Sequence, residues 1–244
     1  MRDIINKNVT EEDLERATRA AFEAGWRRIK LYFMMGLPGE TDEDIVAIAE
    51  LADHTLEIAR EVVPKEQRGG ISVSISVSVF IPKAHTPFQW CPQLDDAEVK
   101  RRQQLLFHSV KNRAVRIHCH DAATSLVEAV MSRGGRDIAP PHRRRLEARP
   151  ALRRVDRTVR ARALGGGGFR TRHGLEALAQ ESFELDWHLP WEHVSPGVSR
   201  GFLLREYRRS LEGVTTPDCT RESCTGCGVC PTLKADNVLV GERA

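Results

Sequence analysis

The residues of this chain best suited to chemistry are four cysteines near its C-terminal end: Cys219, Cys224, Cys227 and Cys230, spaced C-x4-C-x2-C-x2-C. Short loops let several thiolates converge on one centre. Gly226 and Gly228 between them allow backbone N–H groups to turn toward sulfur, and Pro231 follows the last ligand candidate. Two fillings fit this donor set, a [4Fe–4S] cluster or a four-cysteine zinc site, and spacing alone leaves both open. Four of the six cysteines lie in this one run, which suits metal binding in a reducing compartment better than a disulfide framework. The expected location is therefore cytoplasmic. No apolar run is long enough to span a bilayer, and charged and polar residues follow Met1, so neither a membrane partner nor a signal peptide is expected.

A second stretch carries chemistry of a different kind. Ile29 to Ile45 reads IKLYFMMGLPGETDEDI: an apolar strand, a Gly36-Leu37-Pro38-Gly39-Glu40 turn, then a helix start at Thr41. Strands that end in such turns and feed a helix are how α/β barrels present ligand contacts at their strand C-termini. The elements around the turn are legible from patterning. Thr10 followed by Glu11-Glu12-Asp13 is a helix start, with Leu14, Ala17, Ala21 and Ala24 at helical spacing and Gly25 as a stop. Thr41 caps a second helix that carries Ile45, Ile48, Ala52, Ile58 and Val62 near one stripe. After Gly69-Gly70, Ser72 to Val79 alternates strictly, with Val73, Ile75, Val77 and Val79 on one face and four serines on the other. Strand, helix and strand at this spacing predict a βαβ unit with parallel strands and a right-handed crossover. In a barrel the valine face would lie under the helices. The serines, with Lys30, Tyr32 and Met34, would line the lumen. An open sheet with one solvated face is the alternative.

Strand-GLPGETDED-helix followed by FIPKAHTPFQW (Phe80 to Trp90) resembles the last two βα units of radical S-adenosylmethionine enzymes. The resemblance is closest to the cobalamin-binding group, whose substrates are mostly unassigned. It implies that Gly36, Pro38, Gly39 and Glu40 belong to the cofactor-facing loop. For Glu40, stabilisation of the adjacent helix N-terminus is an equal alternative. The family's radical cluster is held by a CxxxCxxC loop after the first barrel strand. No such run occurs here, and the first cysteine is Cys91. The opening RDIINKNVTEEDL resembles sequence deep inside the family's barrel domain. The resemblance thus implies a C-terminal fragment of an iron–sulfur enzyme whose missing partner is the parent's N-terminal half. S-adenosylmethionine and cobalamin are implied for that parent only, and this chain alone is expected to be inactive. His120-Asp121 and Ser132-Arg133-Gly134-Gly135-Arg136 stand where the family has a His-Asp pair and an SRGDR-like run. Gly135 replaces the Asp, which weakens any binding role for the run. Cys119 and His120 read as packing or surface residues.

The formal net charge of +3 hides a local extreme. His142 to Arg172 holds eleven arginines against Glu147 and Asp156, a net of +9 that leaves −6 for the remainder. Lysine, aromatic periodicity and apolar stripes are absent there, and Gly165 to Gly168 is a four-glycine run. An Arg-rich arm for nucleic acid is one reading. A reading frame displaced by one base, from about Pro141 to about His173, fits the composition better: 30 of the 37 basic residues are arginine, as GC-rich coding produces. Disorder is expected in either case.

The expected fold class is α/β, the C-terminal βα units of a partial TIM-type barrel, then a mostly helical extension and a small cysteine-rich tail. The boundaries are 1–92 for the barrel part, 93–139 and 174–213 for the helical extension, 140–173 for the Arg/Gly-rich segment and 214–244 for the tail. Phe202 to Leu211 is expected as a helix, with Leu189-Pro190-Trp191 as an apolar anchor. A non-enzymatic metal-binding module that contacts nucleic acid through the Arg-rich segment is the alternative function.

Overall fold

The computed structural model describes residues 1, 4–7, 9–135, 138 and 174–236. The Arg/Gly-rich segment expected at 140–173 lies outside the described residues, as does the chain beyond 236. The described residues form two units. One contains residue 1 and the described parts of 8–80 and 93–126; the other contains those of 2–7, 81–92 and 127–244.

The first unit is built by local signals that agree with one another. Helix α1 (Glu11–Glu23) opens with a capping box: the Thr10 hydroxyl accepts from Asp13 N–H while the Asp13 carboxylate accepts from Thr10 N–H. Thr41 and Asp44 repeat the device at the start of α2 (Asp42–Val62). Each such box is worth about 1 kcal/mol and fixes where the helix begins. Between them runs β1 (Arg28–Met35), and after α2 comes β2 (Ser72–Val79). Asp95 caps α3 (Asp96–Ser109), which leads to β3 (Val115–Cys119) and α4 (Ala122–Arg133).

The three strands form a parallel sheet in the order β1-β2-β3, so each strand lies beside its predecessor. One face is the core. Leu31, Met35, Val73, Ile75, Val77 and Val115 pack against Ile45, Ile48, Ala49, Ala52 and Leu56 of α2 and Leu106 of α3. Phe22 of α1 joins Ile58, Ala59 and Val63 in a smaller cluster beside it. The other face carries Arg28, Lys30, Tyr32, Met34, Arg116 and His118, all exposed, with the serines of β2 between them. The alternation of Ser72 to Val79 therefore sorts the two faces as expected from a sheet covered by helices on one side.

Two findings differ from the sequence reading. The stretch 93–139, expected to be helical, contains β3. Its five residues offer only three apolar side chains, and pairing with β2 supplies the stability that pattern does not. The units also interleave across the expected boundary at 92, because β3 draws 93–126 to the sheet while 81–92 carries Phe88 and Trp90 into the second unit.

The second unit has an aromatic core of Trp90, Phe183, Leu189, Trp191 and Leu203, with Phe202, Leu204 and Tyr207 packed on it. Helices α5 (Gly174–Gln180), α6 (Arg200–Leu211) and α7 (Val229–Leu233) belong to it. The helix expected at Phe202 begins two residues earlier because Ser199 caps it, its hydroxyl accepting from Phe202 N–H.

Candidate functional site

The Gly36–Glu40 turn sits where β1 ends and α2 begins, and its residues do unlike things. Gly36 has φ +96 and is buried; a Cβ there would lie 2.9 Å from Leu94 Cδ1, so packing closes this position to a ligand. Gly39 has φ +78 and is exposed, and a Cβ added to it would meet nothing within 4 Å. Its backbone is therefore open to close approach. Pro38 is half-buried beside it. Of the four residues assigned to the cofactor loop, Pro38 and Gly39 are the accessible pair.

Glu40 turns inward. Its side chain is 2% exposed, accepts Gly36 N–H at 2.7 Å and pairs with Arg102 of α3 at 2.5 Å. Burial pushes its carboxyl above the ordinary value, while the Gly36 N–H and the Arg102 guanidinium pull the other way. Arg102 also pairs through Nε with Glu98, 2.7 Å away. Glu98, held by Arg101 first and by Arg102 second, has its carboxyl pulled down to about 2. Glu40 is thus the clamp that fastens the turn to α3. Neither Arg102 nor Leu94 was identifiable from sequence, since 62 residues separate Arg102 from its partner and nothing local marks the pair.

His120 and Asp121 are exposed, and Asp121 is committed to capping α4: its carboxylate accepts from Thr124 N–H at 2.8 Å and from the Thr124 hydroxyl at 3.0 Å. Cys119 packs against the core beneath the sheet. Burial raises its thiol above the ordinary range. Arg133, from the SRGGR run, is fully buried in the second unit. Its guanidinium donates to the carbonyls of Cys91, Leu178 and Glu181 and lies 4.1 Å from the Phe183 ring centroid. Burial pulls its pKa down to about 10. Arg133 therefore staples backbone. Arg136 lies outside the described residues.

In the loop Ile81 to Trp90, Gln89 is buried and its side-chain oxygen accepts His85 N–H at 3.0 Å and Trp191 Nε1–H at 2.8 Å. His85 has φ +57, a backbone conformation that costs a non-glycine residue about 1–2 kcal/mol. Cys91 is buried, and desolvation raises its thiol above the usual value against a hydrogen bond with Tyr207.

The tail docks on the start of α6. Ser199 N–H donates to Cys227 C=O at 2.8 Å, Arg205 donates to Thr225 C=O at 2.9 Å, and a Cβ on Gly228 would meet Gly197 C=O at 3.2 Å. Gly226 and Gly228 both have positive φ, +71 and +97, which bends the chain on each side of Cys227. Among the described residues, however, no three Cys, His, Asp or Glu side chains are gathered closely enough to hold a metal ion. Cys219, Cys224, Cys227 and Cys230 thus share one anchored loop without converging. The donor set suits a four-thiolate centre, and loading one requires the loop to close. Outside the tail the sequence has only Cys91 and Cys119, and no CxxxCxxC run.

Residues 1–52 match the Radical SAM superfamily model. That span includes α1, β1 and the Gly36–Glu40 turn. The chain is also similar to an uncharacterized protein of Methanocaldococcus jannaschii, 30% identical over 139 residues, which is 57% of this chain and 28% of that protein. The chain thus spans little more than a quarter of the curated relative it matches. No solved structure matches it. Among the described residues no helix is long and apolar enough to cross a membrane.

Proposed function

We propose that this chain is part of a radical S-adenosylmethionine iron–sulfur enzyme of the cobalamin-binding group, to which it contributes a wall facing S-adenosylmethionine. The observation that carries the reading is the superfamily match over residues 1–52, in which the open turn at Pro38 and Gly39 lies at the C-terminal end of β1. Consecutive parallel strands with helices on one face and polar side chains on the other support a barrel segment. In this reading the Gly39 backbone lies against the adenosine portion of the cofactor, and the Glu40–Arg102 clamp keeps the turn in register. In the parent, a radical cluster would supply the electron that cleaves the sulfonium. No CxxxCxxC run occurs in this sequence to hold it, so in this reading the chain by itself binds without turning over.

The test is direct. S-adenosylmethionine binding to the purified chain, followed by amide chemical shifts, should perturb residues 36–41, and Gly39→Val should weaken it at least tenfold. No 5′-deoxyadenosine should form with dithionite. Binding that ignores Gly39→Val, or cleavage by this chain alone, overturns the reading. The four tail cysteines are assigned a metal centre, iron–sulfur ahead of zinc. Anaerobically purified protein should carry iron and sulfide, and Cys227→Ser should remove them. Protein purified with zinc makes the site a zinc site, and protein with neither metal sinks the assignment.

A further inference from the structure

The three strands of the first unit contain no acidic residue at all: RIKLYFMM, SVSISVSV and VRIHC. Every described carboxylate of that unit lies on a helix or a loop, so the face left open by the helices carries no acid: it holds Arg28, Lys30, Arg116, His118, Tyr32 and the serines, together with the apolar Met34. Strand register arranges it in rows. Lys30, Ser74 and Arg116 are cross-strand neighbours, and one step further along so are Tyr32, Ser76 and His118. Arg28 stands beside Ser72 in the row before. The outer members of each row are roughly 10 Å apart, two strand spacings, and successive rows are about 7 Å apart.

None of Arg28, Lys30, Arg116 and His118 forms an ion pair with a described carboxylate, and all four are exposed. The contact shown for Lys30 is with its own neighbour, Nζ lying 4.9 Å from the Tyr32 ring centroid. Tyr32 is 69% exposed although it is a large aromatic at the middle of a strand. Elsewhere in the unit arginines are heavily paired: Arg19 with Glu61, Arg101 with Asp42 and Glu98, Arg102 with Glu40 and Glu98. A face whose three permanent cations have no ion pair among the described residues, while most cations of its helices are paired, is complementary to a bound anion.

We infer that this face binds a small phosphate-bearing ligand with one planar ring, of the nucleoside-monophosphate kind. The phosphate lies over Ser74 between Lys30 and Arg116, where a guanidinium can engage two of its oxygens and Ser74 can donate a third hydrogen bond. The ring lies over Ser76 between Tyr32 and His118, on the aromatic row one step away. Serine is the residue that makes room: larger side chains on β2 would fill the shallow trough between the two outer strands. The assignment stands on register, exposure and charge. It does not require the radical S-adenosylmethionine reading.

The test titrates the full chain with uridine 5′-monophosphate, whose ring differs from adenine and so separates this face from the Gly39 turn. Uridine, inorganic phosphate and a single-stranded oligonucleotide serve as comparison arms. Uridine 5′-monophosphate should bind and shift the β1, β2 and β3 amides. Lys30→Gln and Arg116→Gln should each weaken it about tenfold, while the charge-matched Arg16→Gln on α1 leaves it unchanged. Tyr32→Ala should weaken the nucleotide and uridine but not inorganic phosphate. All four substitutions are at exposed positions, and the unchanged far-UV spectrum of each variant checks folding. Three results overturn the inference: no binding, equal effects of Lys30→Gln and Arg16→Gln, or an oligonucleotide that binds far more tightly with a salt slope of several phosphates, which would make the face a nucleic-acid surface.

Discussion

Removing Arg102 should damage the turn in a way that acid repairs. Arg102→Met keeps the aliphatic stem but leaves the Glu40 carboxylate, 2% exposed, with only the Gly36 N–H as a partner. Breaking a buried pair from one side costs about 3–5 kcal/mol, because the remaining charge is still desolvated. The retained backbone hydrogen bond and the 12% exposure of Arg102 favour the low end, about 3 kcal/mol. Glu40→Gln should cost less, about 1–2 kcal/mol, since Arg102 keeps Glu98 and the amide oxygen can still accept Gly36 N–H. The double variant should then be less unstable than the sum. The readout is hydrogen exchange at the β1 and β2 amides, where 3 kcal/mol is a rise of about a hundredfold at pH 7. Glu40 has a carboxyl raised by burial, so the folded state takes up its proton more readily than the unfolded state. Its favourable contribution is present below the unfolded value of 4.5 and is lost as pH rises through the folded value. Without Arg102 the folded value rises further. The penalty of Arg102→Met should therefore shrink steadily as pH is lowered from 7 toward 4.5. A penalty below 1 kcal/mol, or one that does not change with pH, refutes the argument that Glu40 is a buried anion held by Arg102.

Arg133→Met should destabilise the second unit by about 2–4 kcal/mol, read as a lowered urea midpoint, because three carbonyls lose their donor together. Arg133→Lys should recover little of this, having no planar fork to reach all three. Gly36→Ala should cost clearly more than Gly39→Ala: both have positive φ, but only the first meets a side chain at 2.9 Å. Equal losses in a thermal melt would remove Leu94 from the account. His54 has a raised pKa, chiefly through its hydrogen bond with Glu15 on α1. Its contribution to stability is full below 6.5 and should fade as pH rises through the higher folded value, a loss that His54→Gln abolishes. Glu98, pulled down to about 2, acts in the opposite sense: its contribution is present above 4.5 and should be lost between there and about 2.

The elements around the turn could be read because their signals are local. Thr10 and Thr41 each stand three residues before an Asp that completes the cap, and four serines alternating with Val73, Ile75, Val77 and Val79 can only sort onto two faces. The thiol spacing of the tail is equally a property of adjacent residues. β3 escaped notice because a five-residue run with three apolar positions becomes a strand only when β2 is beside it. Glu40 illustrates the same limit on a functional residue: next to a helix N-terminus it could equally face a cofactor or serve the fold.

The sequence by itself determined where α1 and α2 begin, which face of β2 is apolar, and which cysteines could act together. Only tertiary structure decided that Glu40 belongs to Arg102, that Gly36 is closed by Leu94 while Gly39 is open, and that Arg133 is a staple. The division has one physical cause. Caps, alternation and ligand spacing are interactions within a few residues, whereas burial and charge pairing depend on which distant segment the sheet brings alongside.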